Sequence, residues 1–71
     1  MKLNYYSDTD SLYIELKSTP SVDSKEVADG LVLDFDGKGN IVGIDIQNAS
    51  IKLDLSSLET KSLPLKKAQR V

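Results

Sequence analysis

Leu31-Val32-Leu33-Asp34-Phe35-Asp36-Gly37-Lys38-Gly39-Asn40-Ile41-Val42-Gly43-Ile44-Asp45-Ile46 is the stretch that decides the fold. Leu31, Leu33 and Phe35 alternate with Val32, Asp34 and Asp36, which is the period of a strand with one apolar face. Val42, Ile44 and Ile46 repeat that period on the far side of a turn. The turn, Asp36 to Asn40, holds two glycines free to adopt positive φ. A β-hairpin follows, with Leu31, Leu33, Phe35, Val42, Ile44 and Ile46 on its inner face. Gly43 inside the second strand predicts a bulge or a close approach by another backbone.

Working outward, Lys2 to Tyr6 reads as a strand with Leu3 and Tyr5 on one side. Leu12, Ile14 and Leu16 alternate with Ser11, Tyr13, Glu15 and Lys17, a second half-buried strand. Ser7-Asp8-Thr9-Asp10 between them is a polar turn, so the chain opens on a hairpin. Lys17 to Ser24 reads as loop, since Pro20 lacks a ladder donor. Lys25 to Ala28 reads as a short strand that ends at the hairpin signal Asp29-Gly30. After Gln47 the period changes. Asn48 and Ser50 are each suited to cap a helix, and Ser56 with Glu59 matches a capping box. Ile51, Leu55 and Leu58 form a helical stripe, whereas Ile51, Leu53 and Leu55 also fit a strand. The pattern predicts one or two short helical turns between 48 and 60. The expected fold class is mainly β (α+β), an antiparallel β meander of four to five strands with short helical turns near the C-terminus. Residues 1–64 make one small β-rich domain and 65–71 a basic flexible tail.

The chain has 71 residues, with no Cys, no His and no Trp. A core of this size is marginal, and scaffolds below ~70–80 residues usually need disulfides, a metal or a partner chain. Lacking Cys, the chain has no disulfides and no thiolate zinc site. Lacking His, it lacks the commonest general base and transition-metal ligand, and no Ser-His-Asp or Cys-His device can be built. The expectation is a non-catalytic protein without a cofactor, stabilised as a homo-oligomer, most simply a dimer through an exposed sheet edge. Residues 1–60 carry 5 basic and 11 acidic side chains, whereas 61–71 hold Lys61, Lys66, Lys67 and Arg70. An acidic body argues against a nucleic-acid groove and for a small basic protein partner. No run approaches the ~20 apolar residues of a membrane span, and Met1 to Asp8 lacks the apolar stretch of a signal peptide. The expected location is the cytoplasm, with no membrane partner.

Tyr5-Tyr6-Ser7-Asp8-Thr9-Asp10-Ser11-Leu12-Tyr13-Ile14-Glu15-Leu16 resembles the opening signature of one family. Leu31 to Asp36, Gly39 to Ile46 and Ala49-Ser50 resemble its second block. The chain is thereby identified, over residues 3–64, as a member of the small prokaryotic proteins grouped as domain of unknown function 2283. Asp45 stands where Glu is more usual in that family, with the charge kept. The resemblance implies a compact β-rich module. Some such proteins are similar to ones encoded beside a small RelE-like toxin, which implies an antitoxin-like, partner-binding role.

Two sets of residues carry candidate chemistry. Asp34, Asp36, Gly39, Ile41 and Asp45 fall at positions 1, 3, 6, 8 and 12 of an EF-hand-like loop. Lys38 stands at position 5, where a ligand belongs, and the flanks are strands rather than helices. Asp34, Asp36 and Asp45 share strand parity and are expected on the outer face of the hairpin, where neighbouring carboxylates repel. A basic partner would relieve that repulsion, so Asp34, Asp36 and Asp45 are candidate protein-binding residues. Tyr13 joins them as an outward-facing anchor beside Glu15. The alternative is a small carboxylate-based metal-binding or hydrolytic site at Asp34, Asp36 and Asp45. Asp8-x-Asp10 reads as a turn rather than a metal site, with Asp10 placed to bond free amides.

Overall fold

The computed structural model describes residues 1–64 of the chain. Five strands form one antiparallel sheet: β1 (Lys2–Tyr6), β2 (Ser11–Glu15), β3 (Asp23–Ala28), β4 (Leu31–Phe35) and β5 (Ile41–Gln47). A short helix, α1 (Ala49–Lys52), follows. The antiparallel β architecture is as the period-2 patterns indicated, and the short helix falls within 48–60, where the change of period indicated one. The expected basic tail, 65–71, lies outside the described residues.

The strand order across the sheet is β1-β2-β5-β4-β3. The segment β3-β4-β5 meanders, and the β1–β2 hairpin adds to it by pairing β2 with β5. Strands β2 to β5 thus have the order of a Greek key read from its far end. The connection from β2 to β3 crosses one end of the sheet and is tacked down on the way. Leu16 and Lys17 both donate their amides to the Val42 carbonyl, and Val22 donates to Phe35. That last bond carries β3 back to Asp23, into the stretch that Pro20 marks as loop.

Register sorts the side chains into two faces. Leu3, Ile14, Ile44 and Leu33 stand in one row across four strands, and Tyr5, Leu12, Ile46 and Leu31 in the next. This face is apolar because each strand contributes its alternate hydrophobic positions. The core it forms is small. Among the described residues Leu12, Val42 and Ala49 are the buried hydrophobic ones, and no large side chain is fully buried. The outer strands β1 and β3 are exposed along their whole length.

Three turns close the hairpins. Gly30 holds φ 73° in the two-residue turn between β3 and β4, and Gly39 holds φ 84° at the tip between β4 and β5. Asp10 takes the left-handed region without glycine's freedom, at φ 52°. A helix of four residues cannot nucleate alone, and α1 is held from both sides. Asp10 accepts the Ser50 amide at 3.0 Å and the Ser50 hydroxyl at 2.7 Å. Lys52 Nζ donates to the Asp29 carbonyl at 2.8 Å. The helix therefore bridges the two turns at one end of the sheet. Asn48 occupies the N-cap position at φ 54° but makes no side-chain cap bond. The Ser56–Glu59 pattern forms no second helix.

Candidate functional site: the polar face of the sheet

The opposite face carries the polar positions. Lys2, Glu15, Gly43, Asp34 and Ser24 stand in one row, and Asn4, Tyr13, Asp45, Val32 and Glu26 in the next. Gly43 leaves a gap between Glu15 and Asp34, and Tyr13 fills it. Its ring leans from the neighbouring row across the bare Gly43 backbone. A Cβ on Gly43 would collide with the Tyr13 hydroxyl and lie 2.6 Å from its Cζ.

That lean brings the Tyr13 hydroxyl to Asp34, where it donates to Oδ2 at 2.7 Å. Ser24 Oγ donates to the other oxygen, Oδ1, at 2.6 Å. One polar bar thus runs from β2 over β5 to β4 and on to β3. The hydrogen bond to Asp34 pushes the Tyr13 hydroxyl up to about 12, helped by desolvation and by the negative charges of Asp34, Glu15 and Asp45. A phenol so held keeps its proton at neutral pH. Asp45 stands opposite Tyr13 in register and Glu15 two residues along β2, so both share the face on which Asp34 takes the hydroxyl. Lys2 stands opposite Glu15 in register without closing an ion pair. Among the described residues the ion pair present is Glu59–Lys61, in the C-terminal segment.

The four residues singled out in the sequence separate into three and one. Tyr13, Asp34 and Asp45 share the polar face, as their parity requires. Asp36 leaves it, because the chain turns directly after Phe35. Its Oδ1 accepts the amides of Lys38 and Asn40, both at 2.9 Å, and its Oδ2 accepts Asn40 Nδ2 at 3.3 Å. These bonds, the Asn40 amide foremost, hold its carboxyl below the usual carboxylate range. Asp36 is thus the internal tie of the β4–β5 tip, and the EF-hand-like spacing describes a self-capped turn. Among the described residues no three carboxylates gather as a metal site.

Sequence reading missed Ser24. It falls in a stretch that reads as loop, and no period singles out its hydroxyl from those of Ser18 and Ser21. Only the pairing of β3 with β4 sets it opposite Asp34. Sequence reading also missed the reach of Asp10. Instead of bonding only its own turn, Asp10 binds Ser50 and accepts the Tyr5 hydroxyl at 2.7 Å. Ser50, then Tyr5, hold the Asp10 carboxyl below its ordinary value, and the same bond raises Tyr5. Gly43 was visible as an oddity. The structure supplies both a register shift beside it and a close approach, made by the Tyr13 ring rather than by backbone.

The apolar face carries a groove of ≈ 610 Å3. Leu3, Tyr5 and Leu12 of the sheet line one wall, and Leu53, Leu55 and Leu58 the other. No helix among the described residues is long and apolar enough to cross a membrane.

No curated protein and no solved structure matches the chain. A family model described as "Protein of unknown function (DUF2283)" matches residues 2–50. The match takes in all five strands, Tyr13, Asp34, Asp36 and Asp45, and stops inside α1. Spanning more than half of the chain and both hairpin signatures, that match makes the protein a member of the DUF2283 family.

Proposed function

We propose that the protein is a cytoplasmic, non-catalytic protein-interaction module whose polar sheet face receives a small basic protein. The observation that carries this reading is that Glu15, Asp34 and Asp45 share one sheet face around Tyr13, with no cation paired to them among the described residues. Adjacent carboxylates on one sheet face repel. A partner bearing Lys or Arg gains their combined attraction and removes that repulsion. The Tyr13–Asp34–Ser24 bar holds this face in one shape, which lowers the ordering cost of binding. The family resemblance to proteins encoded beside a RelE-like toxin supports an antitoxin-like role, with a small basic protein as the partner.

The test is a pull-down from the source cells at low and high salt, using the wild type and a Glu15→Lys, Asp45→Lys double variant. That variant leaves the Tyr13–Asp34–Ser24 bonds in place. One stoichiometric basic protein, captured by wild type at low salt and lost in the variant, is the expected result. Equal capture by the folded variant overturns the reading.

A further inference from the structure

We infer that β1 is a pairing edge, and that it takes the β1 strand of a second copy of this chain, antiparallel about a two-fold axis at Asn4. The hydrogen-bond parity of the sheet locates the free groups. Leu16 donates its amide to Val42 at 2.8 Å, in line with the pairs Leu12–Ile46 and Ile14–Ile44. In an antiparallel ladder alternate residues bond to opposite sides. Leu12, Ile14 and Leu16 therefore bond to β5, and Ser11, Tyr13 and Glu15 bond to β1. Their partners there are Tyr6, Asn4 and Lys2. That leaves the N–H and C=O of Leu3 and Tyr5 pointing away from the sheet, and among the described residues nothing bonds to them. Strand β1 is also unguarded. It runs through five register pairs without a break, holds no Pro or Gly, and carries one charge, Lys2, at its start. The other edge is blunted. Strand β3 shifts register between Glu26 and Ala28 and carries Asp23, Lys25 and Glu26. Bulges and charges are the devices that keep an edge from pairing.

The β1 sequence selects its own copy. Hydrogen-bonded pairs must match the residues with free groups, Leu3 and Tyr5. Antiparallel pairing about Asn4 sets Leu3 opposite Tyr5 of the second copy, and Tyr5 opposite its Leu3. Each pair exchanges two bonds, so the outward groups of both residues are satisfied in both copies. The side chains agree with this register. Leu3 meets a Tyr5 ring as an apolar cross-strand pair. On the polar face Lys2 meets the Tyr6 ring, a cation–π pair. Asn4 meets its own copy at the close, non-hydrogen-bonded position. No like charges oppose one another along the seam. The polar-face carboxylates nearest to it, Glu15 of each copy, stand on β2. At least three strand spacings, or ~14 Å, separate them, beyond the ~8 Å over which charges act at physiological salt. Pairing β1 of one copy with β3 of the next would give an open-ended array, whereas β1 with β1 closes as a two-fold dimer. The contact uses none of the carboxylates proposed for a basic partner, so either can fail without the other.

The experiment is sedimentation equilibrium of the full 71-residue chain. It is run up to a few hundred micromolar, since a short edge contact lies at the weak end of specific interfaces. Twice the monomer mass of 7.8 kDa is expected for wild type. Asn4→Lys and Asn4→Glu each place like charges face to face on the axis. Asn4 is exposed, so both variants are expected to keep the strand signature in circular dichroism. Each is expected to weaken the dimer about tenfold or more. An equimolar mixture of the two is expected to restore it, because Lys then faces Glu. Amide exchange gives a reading that needs no variant. The Leu3 and Tyr5 amides, which face away from the sheet, are expected to gain protection as the protein concentration rises. A wild-type monomer overturns the inference. So does a dimer that both variants leave unchanged, or exchange at Leu3 and Tyr5 that is independent of concentration. Two weakened variants whose mixture stays monomeric overturn the axis at Asn4.

Discussion

Asp10 and Ser50 are joined by two hydrogen bonds across 40 residues, from the Ser50 amide at 3.0 Å and the Ser50 hydroxyl at 2.7 Å. A carboxylate in the first hairpin turn thereby supplies the N-terminal cap that the helix does not supply for itself. Replacing Asp10 with Ala removes both bonds and the acceptor of the Tyr5 hydroxyl. The variant is expected to keep the sheet but lose α1. Amide exchange at Ile51, Lys52 and Leu53 rises to that of open chain, and the melting temperature falls by a few degrees. Unchanged protection of those amides would refute the capping role.

Acid pH tests the same bond and the β4–β5 tip. The carboxyls of Asp10 and Asp36 are both held below their ordinary range by hydrogen bonds made only in the fold. Their stabilisation is therefore complete above the unfolded carboxylate value of ~3.9 and disappears as the pH falls below it. An Asp36→Ala variant is expected to be less stable than wild type at pH 7. The gap should narrow as the pH falls below the unfolded value of ~3.9, as read by urea midpoints. A gap of constant size as the pH falls would show that the Asp36 charge is not the group responsible.

Alkaline pH tests the polar bar. Tyr13 ionises at about 12 in the fold against ~10 in the unfolded chain. Its contribution is therefore full below ~10 and is lost as the pH rises through about 12. Tyr13→Phe deletes the donor to Asp34 and is expected to cost about 1 kcal/mol at neutral pH. It also removes the step near 12 from the ultraviolet titration of the three tyrosines. Loss of a step near the ordinary ~10 instead, with the high step kept, would mean that another tyrosine carries the raised value.

Gly43 and Tyr13 are expected to behave as one unit. Gly43→Ala places a methyl where the phenol lies and should cost about 1–3 kcal/mol, as overpacking does. Adding Tyr13→Ser vacates the space, so the double variant should be more stable than the sum of the two single losses. Simple additivity would mean that the Gly43 requirement comes from the adjacent register shift and not from the ring.

Much of the sheet was legible because it rests on a local signal. Leu31/Leu33/Phe35 and Ile44/Ile46 alternate with polar neighbours, and the structure pairs Leu31 with Ile46 and Leu33 with Ile44. What was not legible is non-local. Nothing in the period of Leu12 and Ile14 states that they pair with β5, so the strand order had to come from the structure. Asp36 was misplaced for a related reason. Parity assigns it to a face, but a turn beginning after Phe35 takes it off the sheet and spends its carboxylate on Lys38 and Asn40. The site was half legible. Tyr13, Asp34 and Asp45 were visible as an outward acidic set, whereas the Tyr13–Asp34 bond depends on the gap at Gly43 and on two strands remote in sequence.

The last strand made is the one at the centre. Strand β5 is the sole ladder neighbour that β2 and β4 have in common, and the hairpins β1–β2 and β3–β4 share no ladder without it. A growing chain that has reached Asn40 therefore holds two separate ribbons, each with an uncovered hydrophobic side. Two-stranded ribbons are marginal in water. The five-stranded sheet closes only after residues 41–47 have left the ribosome, since β5 joins the two ribbons. A nascent chain stalled before Ile41 should be open to protease along its whole length, whereas one extended by a few tens of residues beyond Gln47 should resist it.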